Sequence, residues 1–257
     1  MNVALFGGTF DPVHLGHVAV ARAAAERFKL HCVYFVPAHV PPHKLAQPIT
    51  AFGHRYAMVT LATIGDRRLV PSLLESPEHH AEHGVNYSLD SVRRFKRGLD
   101  KGDRLYFLIG IDAFLEIGAW HEPEALLREV EFIVVGRPGF SLAEVGAALP
   151  ESLRPPAAAA ESKRKPPATG DIVLPGAAIH LLKGVAEKVS ATQIRDTAKD
   201  GRRLEKLVGP LVAEYIRKEE LYRGEATGRS MKSASARRAA SHFQLLPGGK
   251  TRSSRQV

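Results

Sequence analysis

A chain of 257 residues, 44% hydrophobic, is long enough to bury a substantial core as one large domain or two small ones. Its single cysteine, Cys32, excludes an internal disulfide and a multi-cysteine metal site and suits a reducing cytoplasm. The net charge of +9 is concentrated at one end: from Arg223 to Val257 eight Lys/Arg face one acid, Glu225, which puts +7 there and leaves +2 on residues 1–222, so the body carries no argument for a polyanion partner.

The chain opens on an apolar run, Val3-Ala4-Leu5-Phe6, that reads as a strand. No basic-then-apolar leader precedes it, and no apolar run reaches the roughly 18 residues that span a bilayer, so a cytoplasmic chain without membrane partners is expected. Gly7-Gly8-Thr9-Phe10-Asp11-Pro12-Val13-His14-Leu15-Gly16-His17 follows, and then a helix-favouring run, Gly16–Phe28. Strand, glycine turn and helix start together present backbone N–H groups to a phosphate. The glycines let the backbone approach a ligand where a Cβ would clash. His14 and His17 stand three apart, so both rings project from one face of a first helical turn and can donate to phosphate oxygens. A Gly-Gly turn or an isolated histidine alone is commonplace; the combination after a strand points to a nucleoside triphosphate site.

Further along, Cys32–Val36, Arg104–Gly110, Phe132–Val135 and Ile179–Leu182 read as strands. Phe52–Ile64, Leu89–Arg97, Pro123–Arg128, Ala191–Lys199 and Pro210–Glu220 read as helices. Continuous apolar strands separated by helices imply an α/β fold: a Rossmann-like, doubly wound, mostly parallel sheet covered on both faces. Ligands in such sheets bind beyond the carboxyl ends of the strands, where Gly7-Gly8 falls. Three histidines in His79-His80-Ala81-Glu82-His83 sit in a polar loop without a helix or strand frame and read as solvated, not as metal ligands. Residues 142–170, rich in proline and alanine, read as a flexible insertion with a helical turn at Leu142–Leu149. Lys188-Val189-Ser190-Ala191-Thr192-Gln193-Ile194-Arg195 offers a second anion-accepting helix start: Ser190 is a candidate N-cap, and Thr192 and Arg195 share a helical face. Residues 223–257 read as a disordered basic tail. Its Gly248-Gly249-Lys250-Thr251 lacks the leading glycine and strand of a P-loop, since Gln244 stands in the glycine position.

The first motif, G-G-T-F-D-P-x-H-x-G-H, resembles the signature of the H-x-G-H nucleotidyltransferases, and more narrowly that of bacterial nicotinate-nucleotide adenylyltransferases. Val189-Ser190-Ala191-Thr192-Gln193-Ile194-Arg195 resembles the family's closing I-S-x-T-x-x-R run, with valine for isoleucine. The resemblance implies that Ser190, Thr192 and Arg195 hold the β- and γ-phosphates of ATP, beside Gly7, Gly8, Thr9 and Phe10. Pro41-Pro42-His43-Lys44 resembles a loop whose basic residue, here Lys44, meets phosphates. Arg55 matches the arginine of an R-x-x-M segment, whose Met58 core packing explains. Gly110 and Asp112 match a G-x-D stretch beside the ribose of ATP and of the acceptor, and Arg137 an R-P-G turn near adenine. Asn86-Tyr87-Ser88 resembles the family's S-Y-T. It implies that Tyr87 stacks on a pyridine ring and that the Ser88 N–H, at a helix start, meets a carboxylate. Trp120 is implied to lie over the same ring.

On this resemblance, residues 1–222 transfer the adenylyl group of ATP to nicotinate mononucleotide in NAD biosynthesis. His14, His17, Lys44 and Arg195 would stabilise charge, with Mg2+ held mainly by phosphates and water. Two other readings remain open: the same chemistry on nicotinamide mononucleotide or another phosphate, and a non-catalytic nucleotide- or RNA-binding protein whose tail makes the contact.

Overall fold

The computed structural model describes residues 1–40, 48–79, 87–136, 142–154, 171–174, 177–183 and 189–223. Val3-Ala4-Leu5-Phe6 forms the centre of the first strand, β1 (Asn2–Gly8), and every one of the four is buried. Alternation divides them: Ala4 and Phe6 enter one apolar cluster and Val3 and Leu5 the other. A strand buried on both sides must be apolar throughout, which is why this run shows no polar alternation.

The chain continues through α1 (Leu15–Arg27), β2 (Cys32–Pro37), α2 (Phe52–Thr63), β3 (Leu69–Pro71), α3 (Ser88–Lys96), β4 (Arg104–Gly110) and α4 (Ile111–Phe114). After these come α5 (Pro123–Glu129), β5 (Glu131–Val135), α6 (Leu142–Ala147), β6 (Asp171–Leu174) and β7 (Ala177–Leu182). Three further helices close the described chain: α7 (Ala191–Lys199), α8 (Glu205–Val208) and α9 (Pro210–Lys218). The strands form one sheet in the order β3-β2-β1-β4-β5-β7-β6. All neighbours are parallel except β6 and β7, which pair antiparallel.

The doubly wound, mostly parallel α/β architecture expected from the sequence is therefore the one observed. Helices α1, α2, α7, α8 and α9 pack on the Ala4/Phe6 face, and α3 to α6 on the Val3/Leu5 face. Strands β3 and β6 went unread because three or four residues are too few to display a period; the single turns α4 and α8 escaped for the same reason. The helical turn expected near Leu142–Leu149 is α6. The remainder of that insertion, 155–170, and the tail beyond Arg223 lie outside the described residues.

Strand order reverses at β1, which has β2 on one side and β4 on the other. A crevice opens beyond the carboxyl ends at such a switch point. Gly7-Gly8 and Gly110 end the two strands that flank it. Among the described residues no helix is long and apolar enough to cross a membrane.

Candidate active site

Two cavities occupy the crevice. One, of about 470 Å³, is walled by Gly7, Thr9, Phe10, His14, His17, Gly110, Asp112, Ser190 and Arg195. The other, of about 520 Å³, is walled by Gly8, Glu75, Tyr87, Ser88, Trp120 and His121. Gly7, Thr9, Ile109 and Ala113 line both, so the cavities meet across the end of β1 and the start of α4.

The loop from β1 to α1 is shaped by packing beneath it. Phe10 takes a left-handed backbone conformation (φ 50°) and turns its ring into the core, 3% exposed. There it meets Phe6, Phe35 and His17 at centroid distances of 5.6, 5.5 and 5.0 Å. A Cβ on Gly8 would stand 3.0 Å from that ring, which accounts for the second glycine. Phe10 is thus a core residue whose backbone, more than its ring, bears on the cavity.

His14 is the N-cap of α1 and His17 its third residue. Their rings stack at 3.6 Å, so the two imidazoles expected on one face are in contact. The His14 N–H donates to His17 Nδ1 at 3.2 Å. His17 Nδ1 is therefore an acceptor, and the neutral ring carries its proton on Nε2. Burial holds His14 down to about 4, and burial together with the His14 ring holds His17 well below its ordinary value. Both rings are neutral donors at pH 7.

The opposite wall comes from α7. Ser190 caps it, its Oγ accepting the Gln193 N–H at 3.1 Å as the sequence suggested. Arg195 donates through Nη1 to the Asp11 carbonyl at 2.8 Å and through Nη2 to Thr192 Oγ1 at 3.2 Å. Thr192 is exposed and reaches the cavity only through Arg195, whereas Ser190, Ala191 and Arg195 line it directly. Asp11, 7% exposed, accepts the Tyr222 hydroxyl at 2.6 Å on one oxygen and the Thr50 N–H at 3.1 Å on the other. Arg55, 1% exposed, donates to the carbonyls of Thr9, Thr50 and His39 at 2.7, 2.8 and 3.4 Å. A buried guanidinium and a buried carboxylate thus tie the phosphate loop to α2 and to the residues beyond α9.

In the second cavity Tyr87 is the N-cap of α3, and its ring stacks on His121 at 4.1 Å. One face of the ring expected to meet a pyridine is therefore covered by a histidine. Ser88 opens the helix; the Ser91 N–H makes the first intrahelical bond, to the Tyr87 carbonyl at 3.2 Å. The N–H groups of Ser88, Leu89 and Asp90 have no intrahelical acceptor and give that end an anion-favouring field. Trp120 lies on the same wall, edge-on to Phe107 at 6.3 Å.

Lys44, Arg137 and the core of the histidine cluster, His80 to His83, lie outside the described residues. Sequence reasoning missed Glu75, Asp11, Tyr222 and His121. Asp11 stood inside a motif already singled out, and His121 beside Trp120. Tyr222 carried no signal, because its partner is 211 positions away. Glu75 offered one: a lone carboxylate ending an apolar run, Leu73-Leu74-Glu75.

A family model described as cytidylyltransferase-like matches residues 5–197, so the chain belongs to the cytidylyltransferase-like family. A protein of Moorella thermoacetica is 37% identical over 88% of this chain and 94% of its own length. One of Geobacter sulfurreducens is 34% identical over 86% and 98%. Both are described as probable nicotinate-nucleotide adenylyltransferases, and it is to the nicotinate-nucleotide adenylyltransferases within that family that the chain belongs. A solved structure of Plasmodium falciparum nicotinic acid mononucleotide adenylyltransferase complexed with NaAD matches with a TM-score of 0.63 at 21% identity, over 86% of this chain and 97% of that one. The same protein complexed with APC gives 0.62. At that identity the likeness is one of fold.

Proposed function

We propose that this protein transfers the adenylyl group of ATP to nicotinate mononucleotide, releasing pyrophosphate and forming deamido-NAD. The observation that carries the proposal is the pair of cavities joined at Gly7, Thr9, Ile109 and Ala113. One has the donors a triphosphate needs, the other an aromatic wall and a helix N-terminus suited to a pyridine carboxylate. The shared wall would bring an acceptor phosphate beside the α-phosphorus.

The acceptor's 5′-phosphate is already an anion at neutral pH, so no general base is needed. Its oxygen bonds to Pα as the oxygen bridging Pα and Pβ departs with pyrophosphate. Catalysis then rests on in-line positioning and on donors aimed at charge as it moves. His17 Nε2–H and the His14 ring serve the transferring phosphoryl group, and the Arg195 fork and the capped start of α7 serve the departing phosphates. Gly110 and Asp112, where β4 gives way to α4, are assigned to the riboses by family resemblance. Lys44 and Arg137 are assigned to phosphate and adenine by family resemblance.

ATP would enter as its magnesium complex. Among the described residues no group of three His, Cys, Asp or Glu side chains could hold the ion alone, and the Asp11 carboxylate is already engaged. Bound with ATP, magnesium would be held mainly by phosphate and water oxygens and would supply charge offset at the phosphates.

The test is pyrophosphate release from ATP with nicotinate and with nicotinamide mononucleotide. Faster turnover of the acid is expected, and His17→Ala should lower kcat by about 10²–10³, the usual cost of removing one transition-state donor. A His17→Ala protein that turns over at the parent rate would overturn this mechanism.

A further inference from the structure

Glu75 has no part in the chemistry above, yet it lines the acceptor cavity with Tyr87, Ser88 and Trp120. It follows β3 by a few residues and is only 8% exposed. Its Oε1 accepts the Ser91 hydroxyl at 2.6 Å, which fastens it to the first turn of α3, where Tyr87, Ser88 and Ser91 line the cavity. That is its one hydrogen bond among the described residues. An isolated carboxylate in such a place would oppose any anion drawn to the end of α3.

We infer that Glu75 is a specificity-determining residue of the acceptor cavity: as a neutral acid it admits a pyridine carboxylate at the start of α3, and as a carboxylate it lowers the preference for the acid over the amide. The inference rests on the proposed acceptor reading. An ionised Glu75 repels the acid and accepts from a carboxamide N–H; a protonated one carries no charge and can donate to the acid.

The surroundings set the crossover near neutrality. Burial raises the carboxyl to about 7, outweighing the Ser91 hydroxyl, Arg94 of α3 and Arg55 of α2, each of which pulls it down. Neither arginine pairs with it directly: Arg94 Nη1 donates to the Leu74 carbonyl at 3.0 Å, and Arg55 is committed to the backbone carbonyls of the phosphate loop. Among the described residues, Glu116, after α4, and His121, before α5, are the other titratable groups on the cavity wall beside Tyr87.

The experiment measures kcat/KM for nicotinate and nicotinamide mononucleotides by pyrophosphate release at saturating magnesium-ATP, from pH 6 to 8.5, with the full chain. Both acceptors carry the same 5′-phosphate, so its titration cancels in the acid-to-amide ratio. The ratio should fall about tenfold across that range, the effect of one like charge entering a partly desolvated site. Glu75→Gln should hold it at the low-pH value throughout. Ser91→Ala, which removes the hydrogen bond favouring the ionised form, should move the midpoint to higher pH. A flat ratio in the parent enzyme, or an unchanged pH dependence in Glu75→Gln, would overturn the inference while leaving the acceptor reading intact. No turnover of either mononucleotide at any pH would overturn both.

Discussion

A histidine in water exchanges its proton near pH 6.5. His14 does so at about 4 and His17 well below its ordinary value, so between those limits the unfolded chain binds protons that the native protein refuses. Stability contributed by the pair is complete above pH 6.5 and lost as pH falls toward 4. Glu75, raised from 4.5 to about 7, works the other way: its contribution is full below 4.5 and disappears as pH rises through 7. The two dependences overlap, and only variants separate them. Urea unfolding of His14→Gln and of the parent at pH 7 and pH 5 should show the parent losing on the order of 1–2 kcal/mol more on acidification. Equal losses would mean that His14 is solvated in the native state. That His14 and Glu75 titrate away from their solution values was not legible in the sequence, because it depends on how deeply the fold buries each of them.

At the scale of elements, the phosphate loop is held less by β1 and α1, which it joins, than by segments far away in sequence. Tyr222 lies just past α9 in a left-handed conformation (φ 62°) that turns it back to Asp11, while Arg195 of α7 takes the Asp11 carbonyl. Both contacts converge on the loop that ends at His14. Tyr222→Phe removes a hydrogen bond to a charged acceptor, a loss of about 1.5–3 kcal/mol. It should lower kcat several-fold while leaving KM for the acceptor unchanged, as measured by pyrophosphate release beside urea unfolding. Lost stability at full kcat would restrict Tyr222 to a structural role. Local signals made much of this architecture legible. Ala191–Lys199 was placed to the residue because Ser190 announces it, and β1 and β4 because four or more consecutive apolar residues have no other use in an α/β sheet. The cross-chain ties were silent, since nothing in a lone tyrosine names a partner two hundred residues earlier. Thr192 shows the converse: helical spacing put it on the face of Arg195, but only the packing of α7 decides which of the two lines the cavity.

For the whole molecule, length and charge distribution bear on the same question. The relatives match over 94% and 98% of their own length but only 88% and 86% of this chain, so part of this chain falls outside those matches. Of its net charge, +7 falls from Arg223 onward, and residues 1–222 are left with +2. We propose residues 1–222 as the catalytic unit and the tail as an appendage. Charge interactions are screened within about 8 Å at physiological salt, so a tail that is an appendage adds little long-range steering of ATP. Removal of residues 224–257 should therefore leave kcat/KM for ATP within about twofold at that ionic strength, where steering is weakest. Nucleic acid is not an expected partner of the body, so any RNA that the full chain retains on a filter at low salt should be released steeply as salt rises and be lost with the tail. A tenfold fall in turnover on truncation would place tail residues at the triphosphate, whereas RNA retention by the shortened chain would locate a basic surface on the body. The outcome follows from where the charge lies: a total of +9 describes the tail more than the enzyme.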